Sequence, residues 1–180
     1  EDTETINAIK NFNNCEILMQ TGKGYGDAII SGIKEVKTEF FCIFNADGSF
    51  ISDELPNMYE VINKKKVDYI FASRYLPGAS SEDDTIVTLI GNKIFSFLGN
   101  LFFSLNISDI LYTFVMGNTL KTNSLNLKAK DFSLCVELPI KAKRAGFILT
   151  DVIAHERPRI AGAKKVNAFK DGFLIAKEMC

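Results

Sequence analysis

Tryptophan is absent from this sequence, histidine occurs once, and the four cysteines lie far apart. Each scarcity excludes a chemistry. With His155 alone, neither a zinc site nor a cysteine–histidine nucleophile pair is supported. Cys15, Cys42, Cys135 and Cys180 make no CxxC pair, so the chain reads as reduced and cytosolic. An excess of one charge is missing too. Twenty-one Lys and Arg stand against 22 Asp and Glu, for a net charge of −1, so the total favours neither nucleic acid nor an acidic partner. Internal repeats and low-complexity segments are absent, and the first residues show no signal-peptide pattern.

What is present fits one domain spanning residues 1–180. The chain is long enough for a real core, with 47% hydrophobic and 24% charged residues. Charge is distributed unevenly: acids dominate residues 1–60 and bases dominate from Lys141 onward. Apolar runs alternate with helical spacing. Residues 6–12, 25–36, 53–63 and 132–145 read as helices. Residues 15–19, 40–44, 67–72 and 147–154 read as strands, and 168–179 as a final helix. Pro139 is expected to kink the fourth of these helices. Cys15 and Cys42 fall in the strand-like runs and are expected in the core. Alternation of this kind implies a parallel sheet with helices on its faces. Residues 77–84 are the linker-like stretch.

Three segments carry candidate chemistry. In FFCIFNADGSF, five apolar residues run into Asn45, Asp47, Gly48 and Ser49. Open α/β sheets bind ligands beyond the carboxyl ends of their strands, which is where Asp47 falls. A plain turn explains the same residues equally well. Residues 86–105 are the most apolar segment, yet Thr88, Asn92, Ser96, Asn100 and Ser104 recur at every fourth position and Lys93 is charged. This reads as a long helix, partly core and partly interfacial, or as a buried domain helix, rather than a membrane span. Finally, HERPRIAGAKKVN places Arg157, Arg159, Lys164 and Lys165 around Gly162. Such a loop suits an anionic ligand, since arginine contacts phosphate bidentately.

Six segments in order, over roughly residues 3–172, resemble the family-2 glycosyltransferases. Among these they are most similar to the dolichyl- or undecaprenyl-phosphate sugar transferases. GKG at Gly22, Lys23 and Gly24, with Ala28 and Gly32, looks like the family's GKGxA helix start. NADGS looks like its metal-binding D-x-D stretch, with Asn45 at the first Asp. ASRYLPG is similar to G-S-R-[FY]-x-x-G. ISD followed by YTF resembles T-D-x-x-x-G-F. VELPIKAKRAGF and RPRIAGAKKVN resemble E-L-x-x-[KR]-A-x-x-x-G-[YF] and R-x-x-G-x-S-K-V. The early Arg usual in the helix at 86–105 is missing, and the segment YTFVMG lacks the family's Gly-Phe-Arg. The family opens with a strand, a helix and a second strand ahead of the position of Glu1, so the resemblance implies an N-terminally truncated chain.

The resemblance implies a GT-A fold: a Rossmann-like, mostly parallel sheet with helices on both faces. It implies a nucleotide sugar, UDP- or GDP-linked, whose diphosphate is bridged by Mg²⁺ or Mn²⁺. Asp47 and Ser49 are then the metal ligands, and Lys23, Asn45 and Asp47 the donor-binding residues. A hard cation takes such oxygen ligands and stabilises the departing nucleoside diphosphate. The expected reaction is inverting transfer to a polyprenyl phosphate at the cytosolic face of a membrane. A phosphate monoester is already an anionic nucleophile, so positioning by Arg74, Arg157, Arg159 and Lys165 replaces a general base. The alternatives are transfer to a saccharide hydroxyl, with Glu137 or Asp109 as base or orienting residue, and a non-catalytic remnant.

Overall fold

The computed structural model describes residues 3–20, 22–160 and 168–179. Four strands form the central sheet: β1 (Phe40–Ile43), β2 (Tyr69–Ser73), β4 (Val115–Asn118) and β5 (Leu149–Ile153), in the order β1-β4-β2-β5. β2 and β5 pair in parallel. β4 is antiparallel to both its neighbours, so β1, β2 and β5 share one direction and β4 opposes them. The expected mostly parallel sheet is therefore mixed in its pairing, because β4 enters between two codirectional strands. A two-residue pair, β3 (Ser80–Ser81) with β6 (His155–Glu156), lies beyond the ends of β2 and β5.

The strands are apolar on both faces, and helices cover each face. β2 is buried at all five residues. Tyr69 and Phe71 point to one side, into a core shared with Ile33 of α2 (Tyr25–Glu35) and Leu138 and Ile140 of α6 (Leu134–Arg144). Ile70 and Ala72 point to the other side, against Met58 and Ile62 of α3 (Leu55–Lys65). This period of two is the geometry of a strand sandwiched between layers. At the sheet centre Gly117 faces Phe41 and Tyr69; a Cβ there would lie 2.7 Å from the Tyr69 ring. The bulk of the two aromatics thus dictates a glycine between them.

α4 (Ile86–Phe103) begins with a capping box between Thr85 and Thr88 and ends at Ser104 in the left-handed conformation. It packs through Ser96 and Gly99 and leaves Ile86, Ile90, Ile94, Phe97 and Leu101 exposed. The short α1 (Thr3–Ile9) and α5 (Thr119–Ser124) and the final α7 (Ala168–Glu178) complete the set. α6 runs from Leu134 to Arg144 with Pro139 inside it.

Two expectations are corrected. Residues 15–19 form no strand, because none of the described strands offers them a ladder; Ile17, Leu18 and Met19 are exposed. Cys15 is likewise exposed rather than core.

Candidate functional site

The carboxyl ends of β1, β2 and β5 open on one edge of the sheet, and the site is built there. After β1 the chain turns back so that Phe44 and Phe50 meet edge-on, with centroids 5.6 Å apart. Both rings pack on Phe114, at 5.4 and 4.8 Å. This aromatic base closes the loop at 45–49. Gly48 turns it with φ +84°, a conformation that costs a residue with a Cβ. Ser49 is buried and serves the loop: its N–H and hydroxyl donate to Asp47 Oδ1 at 3.1 and 2.7 Å. Burial works against the Asp47 charge. The two Ser49 hydrogen bonds and the Arg159 charge outweigh it and hold the carboxyl below its ordinary value.

The chain beyond β6 is fastened to this loop. Arg157 N–H donates to the Ser49 carbonyl at 3.0 Å, and Ile160 N–H to the Asp47 carbonyl at 2.8 Å. Ile160 lies over Gly48, 2.5 Å from where a Cβ would stand. Arg159 is therefore delivered to Asp47, with Nη1 3.6 Å from Asp47 Oδ2. Its Nη2 reaches Asp83 Oδ2 at 3.3 Å. Its Nε is buried with no hydrogen-bond partner among the described residues. Arg157 directs its side chain to solvent.

Arg74 stands immediately after β2, where a phosphate contact is expected, and the structure gives it carboxylate partners instead. Its Nε and Nη2 donate to Asp109 at 2.7 and 3.1 Å, and Nη1 to Glu156 at 3.0 Å. Asp84 lies 3.5 Å from Nη1. The guanidinium also stacks over Tyr112, 4.4 Å from the ring centroid. Burial opposes the Arg74 charge, and Asp109 and Glu156 more than offset it, so Arg74 holds its proton more tightly than usual. This buried cluster fixes both walls of the site. Glu156 belongs to β6, which leads to Arg159, and Asp84 adjoins Asp83. Asp84 is held further by the Tyr75 hydroxyl at 2.5 Å and the Thr88 hydroxyl at 3.0 Å.

An outward carboxylate at the carboxyl end of a strand, in a mixed α/β sheet, is the frame on which one comparison with known proteins bears directly. The sequence model for glycosyl transferase family 2 matches residues 3–121, most of the chain. The chain belongs to glycosyl transferase family 2. No curated protein matches it. As a member of glycosyl transferase family 2 it is a glycosyltransferase, with a nucleotide-sugar donor and an acceptor. The matched stretch holds Asp47, Arg74 and Asp83, and the Arg157 and Arg159 segment lies beyond it.

The remaining expected residues fall as follows. Asn45 is half-buried, two residues ahead of Asp47 on the same loop. Lys23 is exposed, two residues before α2 begins. Lys164 and Lys165 lie outside the described residues. Asp109 is fully buried on Arg74. Glu137 is buried and accepts from the Lys128 and Ala129 N–H groups at 2.9 and 2.8 Å, so it anchors a loop. His155 is exposed, with Nδ1 2.9 Å from the Ser80 hydroxyl. Asp83, Asp84 and Glu156 were not foreseen as site residues. The acid run at 82–84 was the signal available for the first two.

Enzymes of this family often use divalent metals. Among the described residues no three of His, Cys, Asp and Glu gather as a ligand set. The donor chemistry still fits a hard cation held mainly by substrate phosphates, which needs only one or two protein carboxylates. Asp47 Oδ1 is occupied by Ser49, which leaves Oδ2, approached by Arg159 Nη1 at 3.6 Å, as the remaining oxygen, with Asn45 two residues ahead on the same loop. Asp47 and Asn45 would hold such a cation. Ser49 would act through Asp47 instead, because its buried hydroxyl is turned to that carboxylate. A bound cation would neutralise charge on the departing diphosphate.

Proposed function

We propose that this chain transfers a sugar, with inversion, from a UDP- or GDP-linked donor to a polyprenyl phosphate of the dolichyl or undecaprenyl type. The setting is the cytosolic face of a membrane, and Mg²⁺ or Mn²⁺ assists. The observation that carries this reading is the position of α4. Its exposed apolar stripe begins at Ile86, only three residues after Asp83, which pairs with Arg159. By length and composition α4 is apolar enough to cross a membrane, and only 11% of it is buried. A lipid lying along that stripe would bring its phosphate to the arginines at the sheet edge. Asp47 and Asn45 then serve the donor and its cation, with Lys23 reaching the donor from the start of α2. Arg157, Arg159 and Lys165 serve the acceptor phosphate. A phosphate nucleophile needs positioning and desolvation rather than a base. In keeping with that, Asp109 and Glu137 are both buried in hydrogen bonds, whereas a saccharide hydroxyl acceptor would require a free base.

The test offers the chain radiolabelled UDP- and GDP-sugars with polyprenyl phosphate in vesicles and Mn²⁺. Label is expected in the lipid fraction and is released by mild acid. Label appearing only in a water-soluble saccharide would replace the lipid acceptor with a hydroxyl.

A further inference from the structure

Two carboxylates share one guanidinium at the end of the sheet, Asp83 through a long hydrogen bond and Asp47 as an ion pair beyond hydrogen-bonding distance. A charge-assisted N–H···O bond closes to about 2.7–2.9 Å. Arg159 stands 3.6 Å from Asp47 and 3.3 Å from Asp83, suspended between them. The backbone on each side is fixed. Arg159 is bracketed by the Arg157 and Ile160 amide bonds to the Asp47 loop. Asp83 is bracketed by Asp84, whose N–H donates to the Ser81 hydroxyl at 3.1 Å, and by the Glu82 N–H, which donates to the Glu156 carbonyl at 3.0 Å. What remains free is the lean of the guanidinium.

That lean decides what Asp47 presents. Oδ1 is taken by Ser49, so Oδ2 is its remaining oxygen, and Oδ2 is the atom Arg159 approaches. The loop position at 45 is a neutral amide, leaving Asp47 as the loop's carboxylate. An arginine fork closes readily on a single carboxylate and covers it. We propose that Asp83 is a positioning residue: it draws the Arg159 guanidinium off Asp47 and so keeps Asp47 Oδ2 open to a divalent cation. The proposal rests on the reading of Asp47 as the cation-holding residue. It assigns to Asp83 an electrostatic role at the donor side, distinct from any contact with the acceptor.

The test is a double-mutant cycle read by the extra Mn²⁺ taken up when the full chain is added to Mn²⁺ with UDP or GDP, whose diphosphate completes the site, with free Mn²⁺ followed by electron paramagnetic resonance. Asp83→Asn releases Arg159 onto Asp47, and Mn²⁺ affinity falls about tenfold, the equivalent of one charge-assisted bond. Arg159→Gln strengthens Mn²⁺ binding more in the Asp83→Asn background than in the wild type. Additive effects would instead mean that the two residues act independently, and would overturn the proposal. So would unchanged affinity in Asp83→Asn. Asp83→Glu keeps the charge and is expected to stay within about twofold of wild type, well short of the change that one lost charge-assisted bond produces. A loss there equal to that of Asp83→Asn would trace the effect to geometry rather than charge and also overturn it. Wild-type chain that binds no Mn²⁺ overturns the cation role of Asp47 together with this proposal. Mn²⁺ binding that is indifferent to Asp83 overturns the proposal alone.

Discussion

An arginine after a buried strand reads the same in sequence whether it meets a phosphate or a carboxylate. Arg74 was expected to hold an anionic ligand, and its anions are Asp109, Glu156 and Asp84 of the same chain. Asp109 and Glu156 are distant in sequence, so no local pattern announced them. Asp47 was legible because an apolar strand running into a polar turn is a local signal. Asp83 was not, because an acid in an acid-rich connecting stretch looks solvated until the fold brings Arg159 to it. The two readings of Arg74 separate by measurement. Arg74→Ala leaves Asp109 buried without its counter-charge, and breaking such a pair costs about 3–5 kcal/mol. Urea unfolding is expected to show that loss as a lowered midpoint. An unchanged midpoint with weakened binding of polyprenyl phosphate would return Arg74 to the acceptor phosphate.

Elements with a strong period of their own were readable. β1, β2 and α2 follow from runs and spacing, since a two-sided apolar strand and an amphipathic helix each carry their pattern within a few residues. β4 was missed. It continues an apolar run, Phe114 to Met116, but ends in Gly117 and Asn118, both poor strand formers, and the slot between β1 and β2 makes these residues a strand. Residues 15–19 err the other way: they are apolar enough for a strand, but a strand also needs a partner. α4 is the element whose apolar surface exceeds what the core uses. Phe97 is 62% exposed on it. Moving a Phe side chain from water into an apolar phase is worth about 1.5–3 kcal/mol. Phe97→Ser is therefore expected to weaken binding to anionic vesicles by about tenfold or more, measured by co-sedimentation. Stability should change by only about 0.5 kcal/mol, as for other surface substitutions. A large loss of stability without loss of vesicle binding would mean that α4 faces protein, not lipid.

At the scale of the whole molecule the site exists because two distant segments close on each other. The Asp47 loop and the 157–160 segment meet through two backbone hydrogen bonds and the seat of Ile160 over Gly48. Both segments suggested anion or cation chemistry in the sequence, but their meeting is a property of topology: β1 and β5, the outermost strands, run in the same direction and so end at the same end of the sheet. Gly48 is the residue on which this closure can be tested. Alanine there must adopt φ near +84°, and its Cβ would meet Ile160 at 2.5 Å. The left-handed backbone alone costs about 1–2 kcal/mol. The Ile160 side chain, 86% exposed and met through its Cδ1 and Cγ1, can turn aside. The strained loop backbone instead shifts the Asp47 carbonyl that seats the Ile160 N–H, which carries Arg159 away from Asp47 and Asp83. Gly48→Ala is thus expected to lower the unfolding free energy by about 1–2 kcal/mol while reducing sugar transfer far more than that loss of folded protein explains. Adding Ile160→Ala removes the steric conflict but leaves the backbone strain. Transfer should then stay as low as in Gly48→Ala alone, because the shifted loop and not the Ile160 contact displaces Arg159. If transfer instead tracks stability in both variants, the closure of the two segments contributes only to folding, and Arg159 reaches its working position by another route.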